Sequence, residues 1–183
     1  MKEILLGFTG KAGSGKDTAA NFLKQHYNFK SVAFADPIRA GMRAICGLED
    51  KHFQHPEKEV VLPEFGKSPR QMMQTLGTEW GRVSVNQDLW LILAGKKVAE
   101  YKEAGYNVVI TDVRFENEAE WLRSQGGVLV HVIRPNAGTT PHGHASEAGV
   151  KQEAKDFLIY NTGTLEDLRD KVEYVVSTVK NFY

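Results

Sequence analysis

The sequence predicts an α/β fold, a doubly wound three-layer arrangement with a parallel sheet between helices, and three observations carry that expectation. Short apolar runs recur along the chain as candidate strands at 3–8 (EILLGF), 31–35 (SVAFA), 107–112 (NVVITD), 127–135 (GVLVHVIRP) and 156–161 (DFLIYN). Stretches with helical spacing separate most of them, as crossovers between parallel strands require. The first run enters the glycine-rich loop GKAGSGKDT at 10–18, which opens a helix.

Taken in order, EILLGF stops at Thr9-Gly10 as a buried strand entering a tight loop. DTAANFLKQHY follows, with Ala20, Leu23 and Tyr27 on one helical face. SVAFA ends at Asp36-Pro37, where Asp36 is expected as the N-cap and Pro37 as the first residue of a helix to about Ile45. Those two strand tips would make Lys16 and Asp36 neighbours. Residues 47–68, with Pro56, Pro63 and Gly66 around VVLPEF, read as an insertion. Ser68-Pro69 caps RQMMQTLGTEWGR, whose Met72, Met73 and Leu76 form an apolar stripe, and a second helix runs from Asp88 through Tyr101. RFENEAEWLRSQG reads as the crossover helix after NVVITD. The closing helix is TLEDLRDKVEYVVSTVKNFY, with Leu165, Leu168, Val172 and Val175 or Val176 on its apolar face. One domain over 1–183 is expected, with a helical acceptor region at about 47–105 and a lid-like loop at about 134–149.

Composition narrows the setting. Acidic and basic residues number 23 each, which gives no general field for a nucleic-acid polymer. No run approaches the roughly 20 apolar residues that cross a bilayer, so no membrane partner is expected. The single cysteine, Cys46, and the short apolar start MKEILLGF suggest a reducing, cytoplasmic setting without a signal peptide.

The chemistry concentrates in the loop. Gly10, Ala12, Gly13, Ser14, Gly15 and Lys16 fit the phosphate-binding pattern G-x-x-x-x-G-K-S/T up to its last place, where Asp17 replaces the hydroxyl. Glycines let successive amides converge on phosphate, the helix N-terminus adds positive potential, and Lys16 supplies a mobile charge. Asp17 repels a polyphosphate unless a cation intervenes. It is read either as a holder of metal-bound water or as a helix cap, with Thr18 offering a displaced hydroxyl. Asp112, closing the most apolar strand, is read as a carboxylate for hydrated Mg2+, or alternatively as a cap or a partner of Arg114.

Phosphoryl transfer also needs positive charge around two phosphorylated partners. Arg39, Arg70, Arg82, Arg114 and Arg134 lie near candidate strand ends or in the helical middle. Phe34, Trp80 and Trp90 are either stacking platforms for a base or core residues, and Gln71, Gln74, Glu79 or Gln87 could read its edge. The segment 141–147 carries His142, His144 and Glu147, too few ligands at too loose a spacing to specify zinc.

GKAGSGKDT, FADPIR (34–39), SPRQMMQTLGTEWGR (68–82), ITDVRFENEAE (110–120), HASE (144–147) and NTGTLEDL (161–168) together resemble the deoxynucleoside monophosphate kinases of bacterial viruses. The resemblance implies a P-loop, nucleoside monophosphate kinase-like fold and transfer of the γ-phosphate of ATP to a dNMP, giving dNDP and ADP. It makes Asp17 a family feature. It implies Lys16 and Thr18 at ATP and Mg2+, and Asp36, Arg39, Arg70, Thr78 and Glu79 around the acceptor. Arg114 would lie near the transferred phosphate, and Arg134 with the following loop near the donor. Gln74, Trp80 and Arg82 complete the candidate acceptor set from the residue reading. The family includes homodimers, and a viral chain would act in the host cytoplasm. The PHGH segment matches no lid arginine, which leaves that role to Arg134. Two alternatives stay open: a P-loop kinase acting on dephospho-coenzyme A or phosphomevalonate, and a non-catalytic nucleotide-binding module.

Overall fold

The five apolar runs become one parallel sheet in a computed structural model that describes residues 3–135, 137 and 149–182. The strands are β1 (Leu5–Thr9), β2 (Phe29–Val32), β3 (Asn107–Ile110), β4 (Val128–Ile133) and β5 (Phe157–Tyr160), in the order β2-β3-β1-β4-β5. The helices are α1 (Lys16–His26), α2 (Asp36–Cys46), α3 (Pro69–Gln74), α4 (Leu89–Glu103), α5 (Glu116–Ser124) and α6 (Leu165–Phe182). A π-helical segment, Thr75–Val85, continues α3. The chain divides into two compact units, one of residues 1–33 with 96–183 and one of residues 34–95.

In the sheet unit the alternation of side chains separates two apolar faces. Leu6, Phe8, Val130, Val132 and Ile159 pack with Ala19, Ala20 and Leu23 of α1 and Leu168, Val172, Val175, Val176 and Val179 of α6. Each large side chain fully withdrawn from water here contributes about 1.5–3 kcal/mol. On the opposite face α5 lies close over β1: a Cβ on Gly7 would fall 2.4 Å from Leu122 Cδ2. Helices on both faces of a parallel sheet confirm the expected three-layer α/β architecture. Leu165, expected on the apolar face of α6, is 52% exposed, so the buried stripe begins at Leu168.

Two local expectations are corrected. β2 starts at Phe29 and stops at Val32, and residues 34–35 already turn. Ala35 is then the N-cap of α2 and Asp36 its first residue, so Asp36 enters the helix instead of capping it. The sheet order also removes the adjacency expected between the tips of β1 and β2, because β3 lies between them. Thr111 N donates to Val32 O at 3.0 Å and Val113 N to Phe8 O at 3.1 Å, so the chain leaving β3 is stitched to both neighbours with Asp112 between the two bonds.

In the second unit Ser68 caps α3 reciprocally. Its Oγ accepts from Gln71 N at 3.3 Å, and its N–H donates to Gln71 Oε1 at 2.9 Å. Short 3-10 turns at Asp50–Phe53 and Glu57–Glu59 and a bridge between Leu62 and Lys67 fill the insertion. The region expected at about 47–105 lies largely in this unit. Among the described residues no helix is long and apolar enough to cross a membrane.

Candidate functional site

β1 delivers the chain to Gly10 at the carboxyl end of the sheet, beside the point where strands diverge left and right, the place where open α/β sheets hold ligands. The loop then needs backbone that only glycine supplies without strain. Gly10 has φ +135° and a Cβ there would meet Val132 O at 2.2 Å; Gly15, the N-cap of α1, has φ +109° and its Cβ would meet Asn161 Nδ2 at 2.5 Å. α1 starts directly after the loop, and a helix N-terminus favours negative charge beside it.

Two side chains in the loop bear on what it could hold. Ser14 is 1% exposed, and its Oγ is buried with no hydrogen-bond partner, a costly state unless a ligand supplies one. Lys16 Nζ donates to Gly10 O at 2.7 Å and to Lys11 O at 2.9 Å, curling back over the loop. Ala12 and Gly13 form the exposed turn between Lys11 and Ser14. Asp17 and Thr18 are exposed in the first turn of α1. Gly15 occupies the capping position, so Asp17 sits at the second helical residue, where the helix dipole favours its charge without a cap bond.

Asp112, 9% exposed, follows β3 next to the phosphate-loop strand. The segment after it is held by Glu118, a 2% exposed acid on α5 whose Oε2 accepts from Arg114 N at 2.7 Å and Phe115 N at 3.1 Å. The Arg114 side chain is exposed. Arg134 is exposed just beyond β4, and its carbonyl accepts from Ala137 N at 3.2 Å. The lid-like loop that follows, with His142, His144 and Glu147, lies outside the described residues.

The second unit carries the acceptor candidates. Arg39 Nη1 pairs with Asp36 Oδ1 at 2.9 Å on the first turn of α2. Arg70 Nε donates to Glu59 Oε1 at 2.7 Å, so this guanidinium already holds a carboxylate. Gln74 ends α3 half-buried, and Thr78, Glu79, Trp80 and Arg82 project from the π-helical segment. Trp80 is 50% exposed, as a stacking surface needs, whereas Trp90 is 4% exposed and its indole donates to Gly77 O at 2.7 Å. Trp90 and Phe34, the latter 4% exposed, are therefore core residues. Arg82 Nη1 reaches Gln87 O at 3.5 Å.

The family model for deoxynucleotide monophosphate kinase matches residues 48–172. The chain belongs to that family. The deoxynucleoside-5'-monophosphate kinase of Escherichia phage T5 is 36% identical over 246 aligned positions, covering 98% of this chain and 95% of its own. The deoxynucleotide monophosphate kinase of Enterobacteria phage T4 is 30% identical, covering 94% of this chain and 98% of its own. A solved protein from Thermus thermophilus superposes with a TM-score of 0.54 at 18% identity, over 97% of this chain and 98% of that one, a likeness of fold.

Sequence reasoning passed over three parts of this kinase. Asn161, after β5, donates from Nδ2 to Ser14 O at 2.8 Å and supports the loop from below. Glu118 fixes the backbone of Arg114. The third is an ionic cluster beside Thr9, which pairs in register with His131. There Asp156 Oδ2 accepts from Arg123 Nη2 at 2.7 Å, Glu153 N at 2.8 Å and His131 Nε2 at 3.1 Å. Arg123 Nη1 also lies 2.8 Å from Glu153 Oε1, close enough for an ion pair but not aligned as a hydrogen bond. Burial opposes ionisation of Asp156, but the bonds from Arg123, the Glu153 amide and His131 outweigh it and hold its carboxyl below the usual carboxylate range. Asn161 stands within the NTGTLEDL stretch and Glu118 within ITDVRFENEAE, so the motif text marked both without a role.

Proposed function

We propose that the kinase transfers the γ-phosphate of ATP to a deoxynucleoside monophosphate, releasing ADP and the dNDP. The observation that carries this is the buried, unpartnered Ser14 hydroxyl in the glycine loop with Lys16 folded over it, in a chain of this family. An oxygen of the acceptor phosphate attacks the γ-phosphorus in line, and the bond from that phosphorus to the β,γ-bridging oxygen breaks, leaving the electron pair on ADP. No protein nucleophile is required. The work is positioning and charge neutralisation.

Gly10, Ala12, Gly13, Ser14 and Gly15 would cradle the donor phosphates, with the Ser14 hydroxyl turned to them while its N–H donates to Lys11 O at 3.2 Å. Lys16 would leave the carbonyls of Gly10 and Lys11 to follow the transferred charge, with Arg114 and Arg134 beside it. In the second unit Asp36, Arg39, Arg70, Gln74, Thr78, Glu79, Trp80 and Arg82 would serve the acceptor, with Arg70 exchanging Glu59 for a phosphate oxygen.

The donor set fits Mg2+, which takes one or two carboxylates and completes its shell with water and substrate phosphates. Among the described residues no group of three or more acid, histidine or cysteine side chains is gathered to hold a metal alone, so the nucleotide would bring part of the shell. Asp17, Thr18 and Asp112 are the residues that would hold it, through water. Bound there, Mg2+ neutralises charge on the phosphates. The viral relatives support action in the cytoplasm of an infected cell.

The test is an acceptor panel with ATP and Mg2+: dGMP, dTMP, dCMP, modified dCMP and dAMP, their ribose forms, dephospho-coenzyme A and phosphomevalonate. Phosphorylation of one or more dNMPs is expected. Turnover of either non-nucleotide-monophosphate acceptor with no dNMP product would reject the reading, and ATP binding with no transfer at all would leave a binding module.

A further inference from the structure

We propose that Trp90 is a positioning residue for acceptor recognition, acting by holding Thr75–Val85 in π-helical winding. The inference rests on the acceptor role proposed for Thr78, Glu79 and Arg82.

A run of i→i+5 turns is rare and mostly limited to a single turn, so an 11-residue π-helix needs support from outside itself. Trp90 provides it in two ways. Its Nε1–H donates to Gly77 O at 2.7 Å in a buried setting, adding a partner to a carbonyl inside the segment. Its ring also lies against Gly81, where a Cβ would come 2.3 Å from Cζ2 and 2.8 Å from Cε2. Position 81 therefore has no room for a side chain while the indole is in place. Gly77 and Gly81 are both buried and stand one α-helical turn apart, so the indole touches the inner side of the segment at two successive points. The wide winding is maintained beyond them by Asn86 N donating to Gly81 O at 3.0 Å and by Ser84 Oγ donating to Glu79 O at 2.8 Å, both across five residues.

The winding decides where the acceptor candidates point. In an α-helix residues four apart, such as Thr78 and Arg82, stack on one face. In the wider helix each residue advances less around the axis, so Arg82 falls just short of a full turn from Thr78 where in an α-helix it passes one, and the direction between the two side chains changes. Glu79 and Trp80 turn with them. A relaxation to α-helical winding would realign all four while leaving the phosphate loop in the other unit with its own support. Trp90 touches no substrate in this scheme. Its influence passes through Gly77 and Gly81.

The experiment uses the full-length kinase and the dNMP it phosphorylates fastest. Trp90→Phe keeps a ring and removes the N–H; Gly81→Ala pushes against the ring; Ser84→Ala removes an exposed bond and tests the winding even if a core variant does not fold. Glu79→Ala and Arg82→Ala serve as direct-contact comparisons. Steady-state KM for the dNMP and for ATP, kcat, relative rates across the four common dNMPs and thermal unfolding are measured for each. Trp90→Phe and Gly81→Ala are expected to raise the dNMP KM about five- to tenfold and to change the ranking of bases, with the ATP KM within about twofold of the parent. Ser84→Ala is expected to raise the dNMP KM about twofold. Parent-like dNMP KM in all three, while Glu79→Ala or Arg82→Ala raises it, would overturn the proposal and leave the acceptor assignment standing. Equal rises in both KM values accompanied by lost stability would also overturn it, by showing a general packing role. If Glu79→Ala and Arg82→Ala themselves leave the dNMP KM unchanged, the acceptor assignment fails and this inference falls with it.

Discussion

Asn161 Nδ2 donates to the backbone oxygen of Ser14 at 2.8 Å, a buried bond between residues 147 positions apart that ties the chain leaving β5 to the floor of the phosphate loop. Asn161 N also donates to Ile133 O at 2.7 Å, so the side chain is aimed by the sheet itself. The amide fills the space that a Cβ on Gly15 would take, which makes the two positions mutually dependent. Asn161→Ala leaves the Ser14 carbonyl buried and unpaired, at a cost of about 1–3 kcal/mol. Calorimetric titration with ATP should show weakened binding, with dNMP binding unchanged. Parent-like ATP affinity in a folded variant would mean that the loop holds its shape alone.

Asp17 and the metal can be separated by measuring nucleotide affinity with and without Mg2+. Its carboxylate, exposed in the first turn of α1, repels a bare polyphosphate and favours one accompanied by a cation. Asp17→Asn should therefore tighten binding of metal-free ATP while raising the Mg2+ concentration needed for half-maximal transfer. Loss of its favourable place at the helix N-terminus costs only about 0.3–1 kcal/mol, too little to unfold the chain. A variant that loses only that small stability, with unchanged Mg2+ dependence, would reduce Asp17 to a helix residue.

Much of this arrangement was legible because its signals are local. Strand β1, the glycine loop and α1 follow one another within a few residues, and the apolar stripe from Leu168 to Val176 announces α6. Ser68 and Gln71 spell a capping box in the text itself. What the text does not carry is set by distant partners. The insertion of β3 between β1 and β2 depends on a crossover longer than any local pattern. The π winding of Thr75–Val85 looks helical in sequence, and what bears on its pitch is an indole 13 residues beyond Gly77. Asp156, Arg123 and His131 lie on three separate segments, and no spacing rule joins them.

Lys16 tests whether the loop works on charge or only on shape. Its bonds to Gly10 O and Lys11 O are exposed, and such contacts contribute about 1 kcal/mol or less. Lys16→Met should therefore unfold close to the parent temperature. Transfer should fall by a factor on the order of 10²–10³ or more, the scale of removing one preorganised donor from a transition state. Single-turnover measurements at saturating ATP isolate that loss from binding, and a folded variant with near-parent rates would contradict the role.

The Asp156 cluster predicts how stability changes with acidity. The folded carboxyl is held below its ordinary value, so the unfolded chain takes up the proton first as pH falls. The stabilisation is thus complete above the unfolded value near 3.8 and is lost as pH drops through the lower folded value. Groups facing Asp156 are Arg123 from α5, His131 from β4 and the amide of Glu153, with Glu116 and Glu153 sharing the guanidinium. Asp156→Asn removes the anion and should cost about 2 kcal/mol near neutral pH, the order of a lost charge-assisted bond. It should also flatten the decline in stability below about pH 4. Denaturant melts of parent and variant from about pH 7 down to about pH 3 would check both signs. Parallel curves at every pH would mean that the depressed carboxyl is not the group that titrates on unfolding, and would return the cluster to ordinary packing between α5, β4 and the approach to β5.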